Sequence, residues 1–290
     1  MHRQVQVNDM MPTYIDVYEF GSGSPKIAIT GGIHGNEVSG IHICKKLVEY
    51  FEENPPLKGS VVVLPICNPI AFRQMERANS FDRKDMNRSF PGSAQGSYTE
   101  RLAHAVMELT KDADMIIDLH NCGQNSQSYT LAVYSEYPKT RKLADLLNIP
   151  ALVHSGGASG QLFIEACKRG QAALIIEMPN GPGPGAINRQ STKQGWDGVM
   201  NALRHEGFVS GDCIQNEVHA FGPIKHVTAA ENGLWKPAIK SGDWAKAGET
   251  TGTLNGNPIL APADCYALTA RPKSYIACGE FVVAYLVKAE

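Results

Sequence analysis

Between residues 26 and 206 the chain alternates short, almost wholly apolar runs with longer segments whose apolar residues recur every three to four positions. The runs at 26–30, 60–66, 115–119 and 172–176 are too short and too rich in β-branched residues for helices, and read as buried strands. The segments at 38–53, 98–111, 139–147 and 190–206 read as helices, the first of them clearly amphipathic. Strand, helix and strand in succession make a β-α-β unit, so the expected fold class is an α/β sandwich built on a mostly parallel or mixed sheet. Near 208–215 the helical periodicity stops, and glycines and prolines begin to mark turns at strand-length intervals. The chain therefore divides into a large α/β domain over 1–212 and a small all-β domain over 213–290. At 290 residues it is long enough to give the larger part an ample core.

Three of the apolar runs lead into residues that can do chemistry. After the first comes Gly31-Gly32-Ile33-His34-Gly35-Asn36-Glu37. On one helical turn a histidine and a glutamate three positions apart share a face, and their nitrogen and oxygen can converge on one ion. Alone, the more frequent meaning of such a pair is a structural contact. The run at 115–119 continues into His120, and the carboxyl edge of a sheet is where open α/β folds place their sites. Two nitrogens and one carboxylate from His34, Glu37 and His120 would make the three-ligand set of a catalytic zinc, with a fourth position left for water. Asp118 would support His120 from behind. The run at 172–176 ends at Glu177, and an acidic residue ending a buried run is costly unless it caps a loop or does chemistry. Beside an activated water it would be a general base.

Between the first and second of these elements lies a dense polar stretch, Asn68-Pro69-Ile70-Ala71-Phe72-Arg73, Arg77, and Asp85-Met86-Asn87-Arg88-Ser89-Phe90-Pro91-Gly92. Arginine makes planar, bidentate contacts with carboxylates, and a neighbouring asparagine can donate to the same group. Asn87 and Arg88 suit such a clamp. Arg77 suits a place opposite the scissile carbonyl, where negative charge develops. A solvated arginine-rich loop has the same composition.

Taken in order, Gly-Gly-x-His-Gly-Asn-Glu, Asn-Pro-x-Ala, Asn-Arg-x-Phe-Pro-Gly, Asp-Leu-His and the strand-terminal glutamate resemble the aspartoacylase and succinylglutamate desuccinylase family, relatives of the zinc carboxypeptidases. The resemblance covers most of residues 26–180. It implies a carboxypeptidase-like fold, one Zn2+ per chain held by His34, Glu37 and His120, a catalytic base at Glu177, and substrate contacts from Arg77, Asn87 and Arg88. It further implies that the C-terminal β domain is barrel-sandwich-like and packs beside the cleft, narrowing it toward small substrates. The turn Asn255-Gly256-Asn257 has no lysine, so this domain is not a lipoyl or biotin carrier. Trp235 and Trp244 are expected in its core. Two features depart from aspartoacylase itself: the nearest arginine before Glu177, Arg169, is offset, and the following turn reads Met-Pro-Asn-Gly-Pro. Both bear on which acyl group is taken.

The implied activity is hydrolysis of the amide bond of a small N-acyl amino acid or related compound. Two other readings share the residues: a carboxypeptidase acting on peptides, and a non-catalytic zinc or small-molecule binding protein, which would have no need of a base at Glu177. With 27 basic and 29 acidic residues, a net charge of -2 and no Lys/Arg-rich block, a nucleic-acid partner is not expected. No stretch approaches the roughly 18 to 20 apolar residues that span a bilayer, and the first residues lack a signal-peptide core. A soluble, cytoplasmic protein with no membrane partner follows as the expectation, and a homo-oligomer is left open. Seven cysteines without a C-x-x-C pair fit reduced thiols; Cys122, two residues past His120, is the one candidate nucleophile among them.

Overall fold

The computed structural model describes residues 1–8 and 12–289. β1 (His2–Asn8) and β2 (Thr13–Gly21) pair antiparallel, and β3 (Lys26–Gly31), α1 (Val38–Glu53) and β4 (Ser60–Leu64) form the expected β-α-β unit. There follow α2 (Pro69–Gln74), α3 (Tyr98–Thr110), β5 (Met115–Asn121), β6 (Tyr129–Ala132), α4 (Pro138–Leu147), β7 (Ala151–His154), α5 (Leu162–Lys168), β8 (Ala172–Met178), α6 (Arg189–His205) and β9 (His219–Phe221). All nine strands join one mixed sheet in the order β1-β2-β4-β3-β5-β8-β6-β7-β9. Its centre, β4-β3-β5-β8, is parallel, and β2 and β6 meet that block antiparallel.

Each face of the sheet carries its own core because successive strand residues point to opposite sides. Ile117 and Leu119 of β5 and Leu174 and Ile176 of β8 pack with Leu47 and Phe51 of α1, Leu147 of α4 and Val199 of α6. Ile116 and Ala173, one residue out of phase, pack with Leu102 and Val106 of α3 and Phe163 of α5. Continuing that second set by twos gives Asp118 and His120 on β5 and Glu177 on β8. The sheet's alternation thus turns from apolar to ionisable at its carboxyl edge, on the α3/α5 face.

Residues 225–286 form two antiparallel four-stranded sheets. Lys225–Thr228, Phe281–Leu286, Cys265–Ala270 and Trp244–Ala245 make one, and Asn257–Leu260, Thr250–Leu254, Gly233–Pro237 and Ser274–Ile276 the other. Between them lies a separate core around Trp235, which is fully buried and donates its indole N–H to Arg271 O at 3.0 Å. Trp244 corrects the expectation that both tryptophans are core residues: it is 50% exposed, its ring set against Phe221 and Tyr266 at the surface. This unit meets the loop after β5 through Gln127 Nε2 donating to Ser241 O (2.8 Å) and Ser241 Oγ donating to Asn125 O (2.6 Å).

Several elements differ from the sequence reading in extent. β5 and β8 run two residues past the apolar runs, so His120 and Glu177 lie inside paired strands. β1, β2, β6, β7 and α5 have no counterpart in that reading, being short, on the rim of the sheet or mixed in pattern. Residues 219–221 pair with β7 in the large sheet. Among the described residues no helix is long and apolar enough to cross a membrane.

Candidate active site

His34 and Glu37 are brought together by a turn rather than by a helix. Residues 34–37 form a turn closed by Glu37 N–H donating to His34 O at 3.2 Å, and Glu37 stands at the N-cap of α1. Gly35 is required there: a Cβ would lie 2.0 Å from the carbonyl carbon of Ala71 in α2. The turn places His34 Nδ1 2.8 Å from Glu37 Oε1, while His120 Nδ1, arriving from β5, lies 2.8 Å from Glu37 Oε2 and 3.2 Å from His34 Nδ1. Both rings are 2% exposed and Glu37 6%.

The outer ring nitrogens decide what this cluster can hold. His34 Nε2 lies 2.9 Å from Asp85 Oδ1, and His120 Nε2 lies 2.7 Å from Asp118 Oδ2, whose other oxygen accepts from Thr30 Oγ1 at 2.7 Å. Carboxylates there hold the ring protons on Nε2, so both Nδ1 atoms present lone pairs inward. Two lone pairs and a carboxylate then face one another, and Asn121 N–H, donating to Glu37 Oε2 at 2.9 Å, is the backbone donor to that carboxylate. Three buried acceptors this close repel unless a cation completes them. Their donor atoms lie within 4.8 Å of one another, the one such group among the described residues. Donors about 2 Å from a tetrahedral ion sit roughly 3.3 Å apart, and the observed spacings are of that order. The residues fit a metal.

The ionisation of the groups carries the same demand for positive charge. Burial alone would raise the Glu37 carboxyl, but His120 and His34 outweigh it and hold it well below the carboxylate range. Burial alone would lower His120, and Asp118 and Glu37 instead push it well up. Asp85 is held low against burial by His34 and then Arg77.

Glu177 occupies the same register row as His120, its direct partner on the neighbouring strand. Its Oε2 is buried with no hydrogen-bond partner. Burial pushes its carboxyl up to about 7, with His120 opposing and Glu37 adding to the rise. A cation among the adjacent ligands would favour the carboxylate and bring that value back down.

Arg77 lies at the rim, half exposed. It donates from Nη1 to Glu37 Oε1 (3.1 Å) and from Nη2 and Nε to Asp85 Oδ2 (2.9 and 3.2 Å). Asn87, buried in the 3-10 turn Met86–Arg88, accepts from Leu162 N–H at 3.1 Å and so ties this loop to the start of α5. Arg88 is exposed, with Nη1 donating to Asn87 O at 2.8 Å. Arg169 is remote from all of these: it caps the far end of α5 and borders a cavity at the amino edge of the sheet. Cys122 has no activating base; burial and then Glu177 push its thiol far up, and it donates to Gln127 O.

Asp85 was not singled out by its sequence, although it stands in the polar stretch. One carboxylate orients His34, seats Arg77 and, through Oδ1, accepts Asn87 N–H at 2.8 Å. An aspartate two residues before an Asn-Arg pair is the only local signal for it.

The carboxyl edge of this α/β sheet thus carries a His-Glu-His cluster that could hold a metal ion, with a partnerless carboxylate beside it. Residues 23–206 match the model of the succinylglutamate desuccinylase/aspartoacylase catalytic domain, and the chain belongs to that family. It is 26% identical over 247 residues to an N-alpha-acetyl-L-2,4-diaminobutyric acid deacetylase of Halomonas elongata, covering 81% of this chain and 71% of that protein. It is 27% identical over 163 residues to succinylglutamate desuccinylase of Pseudomonas aeruginosa, covering 48% of each. Among solved structures, an aspartoacylase family protein from Mesorhizobium loti superposes with a TM-score of 0.82 at 22% identity, over 100% of this chain and 94% of that one, and shares its fold.

Proposed function

We propose that the protein is a zinc-dependent deacylase that hydrolyses the amide bond of a small N-acylated amino acid or related compound. The observation that carries this reading is a cluster of three buried acceptors, which calls for a cation, lying one strand from a carboxylate with no partner and a raised pKa. The names of the Halomonas and Pseudomonas relatives support an amide as the bond attacked. His34, Glu37 and His120 would hold one Zn2+. Bound there, the ion is a Lewis acid that makes water a stronger acid and an acyl carbonyl a stronger electrophile.

The chain's own groups do the rest. Glu177 takes the proton of the attacking water and delivers it to the leaving amine. Arg77, already turned toward Glu37 from the rim, donates to the acyl oxygen as it becomes negative. The exposed guanidinium of Arg88, steadied by Asn87, takes the carboxylate of the amino-acid part. The C-terminal sheets, seated on the loop after β5, restrict the cleft to small substrates. The net charge of -2 and seven free cysteines suit a protein that works on dissolved metabolites in the cytoplasm, without nucleic acid.

The test is amine release by zinc-loaded protein from a panel of N-acyl amino acids, with peptides alongside. Turnover of the N-acyl amino acids is expected, falling about 100- to 10,000-fold in Glu177→Gln while the metal is retained. Release from peptides alone would make the protein a carboxypeptidase, and bound metal with no turnover of either would leave a binding protein.

A further inference from the structure

The row that holds His120 and Glu177 does not end there. β6 pairs antiparallel with β8 on the side away from β5, and its first residue, Tyr129, is the direct partner of Glu177. Partners in an antiparallel pair put their side chains on one face, with Cβ atoms about 4.5–5.5 Å apart. His120, Glu177 and Tyr129 therefore stand in line across three adjacent strands, at one level and on one face. The Tyr129 ring is buried against Phe221 and against Leu268 and Leu286 of the C-terminal sheets, which set its position. No side chain or backbone group among the described residues hydrogen-bonds its hydroxyl. Burial holds the phenol well above its usual range and Glu177 adds to this, so it remains a neutral donor. The hydroxyl, without a partner among those residues, is not fully enclosed in this 6% exposed residue, so a molecule bound beside Glu177 can reach it and accept its hydrogen bond.

The order along the row assigns the side of the substrate. In the deacylase reading, on which this inference rests, the acyl carbonyl lies at the His120 end and the leaving nitrogen at Glu177. Whatever the nitrogen carries then extends over Tyr129. We propose that Tyr129 determines specificity on the amine side of the scissile bond, its hydroxyl donating a hydrogen bond to an oxygen of the amino-acid part of the substrate.

Tyr129→Phe removes the hydroxyl and keeps the ring. With zinc-loaded protein and the same panel, KM is expected to rise about 3- to 10-fold, the range of one neutral hydrogen bond, with kcat, zinc content and Tm unchanged. Calorimetric affinity for the free amino-acid product should weaken by the same factor. The factor should vary when the amino-acid part is changed and stay constant when the acyl group is changed. Equal KM and product affinity in the two proteins would overturn the assignment, as would a factor that follows the acyl group. A wild type inert on the whole panel is a separate result: it removes the deacylase reading, and this inference with it.

Discussion

The two ends of β5 and β8 belong to the same sheet, yet they treat polar groups in opposite ways. At the amino ends lies a cavity of about 620 Å3, bordered by Lys111, Asp114, Lys139, Arg169 and Gln171. Its polar groups are largely spent on the fold. Asp114 Oδ2 accepts Lys26 N–H at 2.7 Å, Lys111 pairs with Glu108 at 3.0 Å, and Gln171 Nε2 donates to Ala113 O and Thr110 O at 2.7 and 2.9 Å. Gln171 Oε1 is the exception, buried without a partner. At the carboxyl ends three acceptors face one another, Glu177 Oε2 is buried without a partner, and the Tyr129 hydroxyl makes no hydrogen bond to a described residue. Cavity volume does not single out either end, since a cavity of about 630 Å3 borders Arg77 at the rim of the site. Unmatched charge and hydrogen-bonding capacity point to the site, because burying them is expensive unless something else is meant to complete them.

The strongest challenge to this contrast is a pair of substitutions, one at each end. His34→Ala should abolish metal binding and bring turnover to background, whereas Arg169→Ala at the amino edge should leave both unchanged. His42→Ala, on the exposed side of α1, should likewise be silent. Elemental analysis and turnover measured on the three proteins decide it, and a loss in Arg169→Ala comparable to that in His34→Ala would break the comparison.

A smaller effect is expected one layer out. Asp85→Asn keeps an oxygen near His34 but loses the charge that fixes its ring proton and seats Arg77, so metal affinity should fall about 10- to 100-fold. Competition with a chelator measures this. At the opposite end, Gln171→Ala strips partners from buried carbonyls and should cost about 1–3 kcal/mol of stability with activity per folded molecule unchanged. Denaturant unfolding together with kcat would separate a fold residue from a site residue.

The smallest effect concerns acid. Asp82 accepts Thr99 N–H (2.8 Å) and Thr99 Oγ1 (2.6 Å), pinning the Arg77–Arg88 loop to the start of α3. Burial raises its carboxyl, but the two Thr99 bonds outweigh this and its pKa lies below the ordinary value. A native pKa below the unfolded one, about 3.9, means that the carboxylate contributes stability above that pH and loses it as pH falls through the native pKa. The gap in stability between wild type and Asp82→Asn should therefore be wider at pH 7 than at pH 3. Urea midpoints at the two pH values check it, and a constant gap would remove Asp82 from the acid response.

Much of the molecule was legible before its tertiary structure. The alternation of helix and strand over 26–206 is a local signal, since an amphipathic stripe such as Ile41, Cys44, Val48 and Phe51 on α1 needs only the 3.6-residue period to be seen. The motif order likewise pointed to the family, to which the chain belongs. The rim strands were not legible: β6 and β7 have four residues each, too few to establish a period. Trp244 illustrates a different limit, since its place on the surface depends on which residues of a distant segment pack beneath it.

The residue types gathered at the carboxyl edge were set by the chain itself. His34 and Glu37 are neighbours through a four-residue turn, and His120 and Glu177 follow directly from apolar runs whose burial their composition requires. What only the tertiary structure decided was how those residues are completed. Asp85 reaches His34 across 51 positions, Glu37 meets His120 across 83, and Tyr129 joins the row because β6 inserts antiparallel beside β8. Periodicity is a property of consecutive residues and survives in the sequence. Register is a property of two strands, and in a sheet a shift of one residue would turn Tyr129 away from Glu177 to the opposite face without changing a letter of either segment.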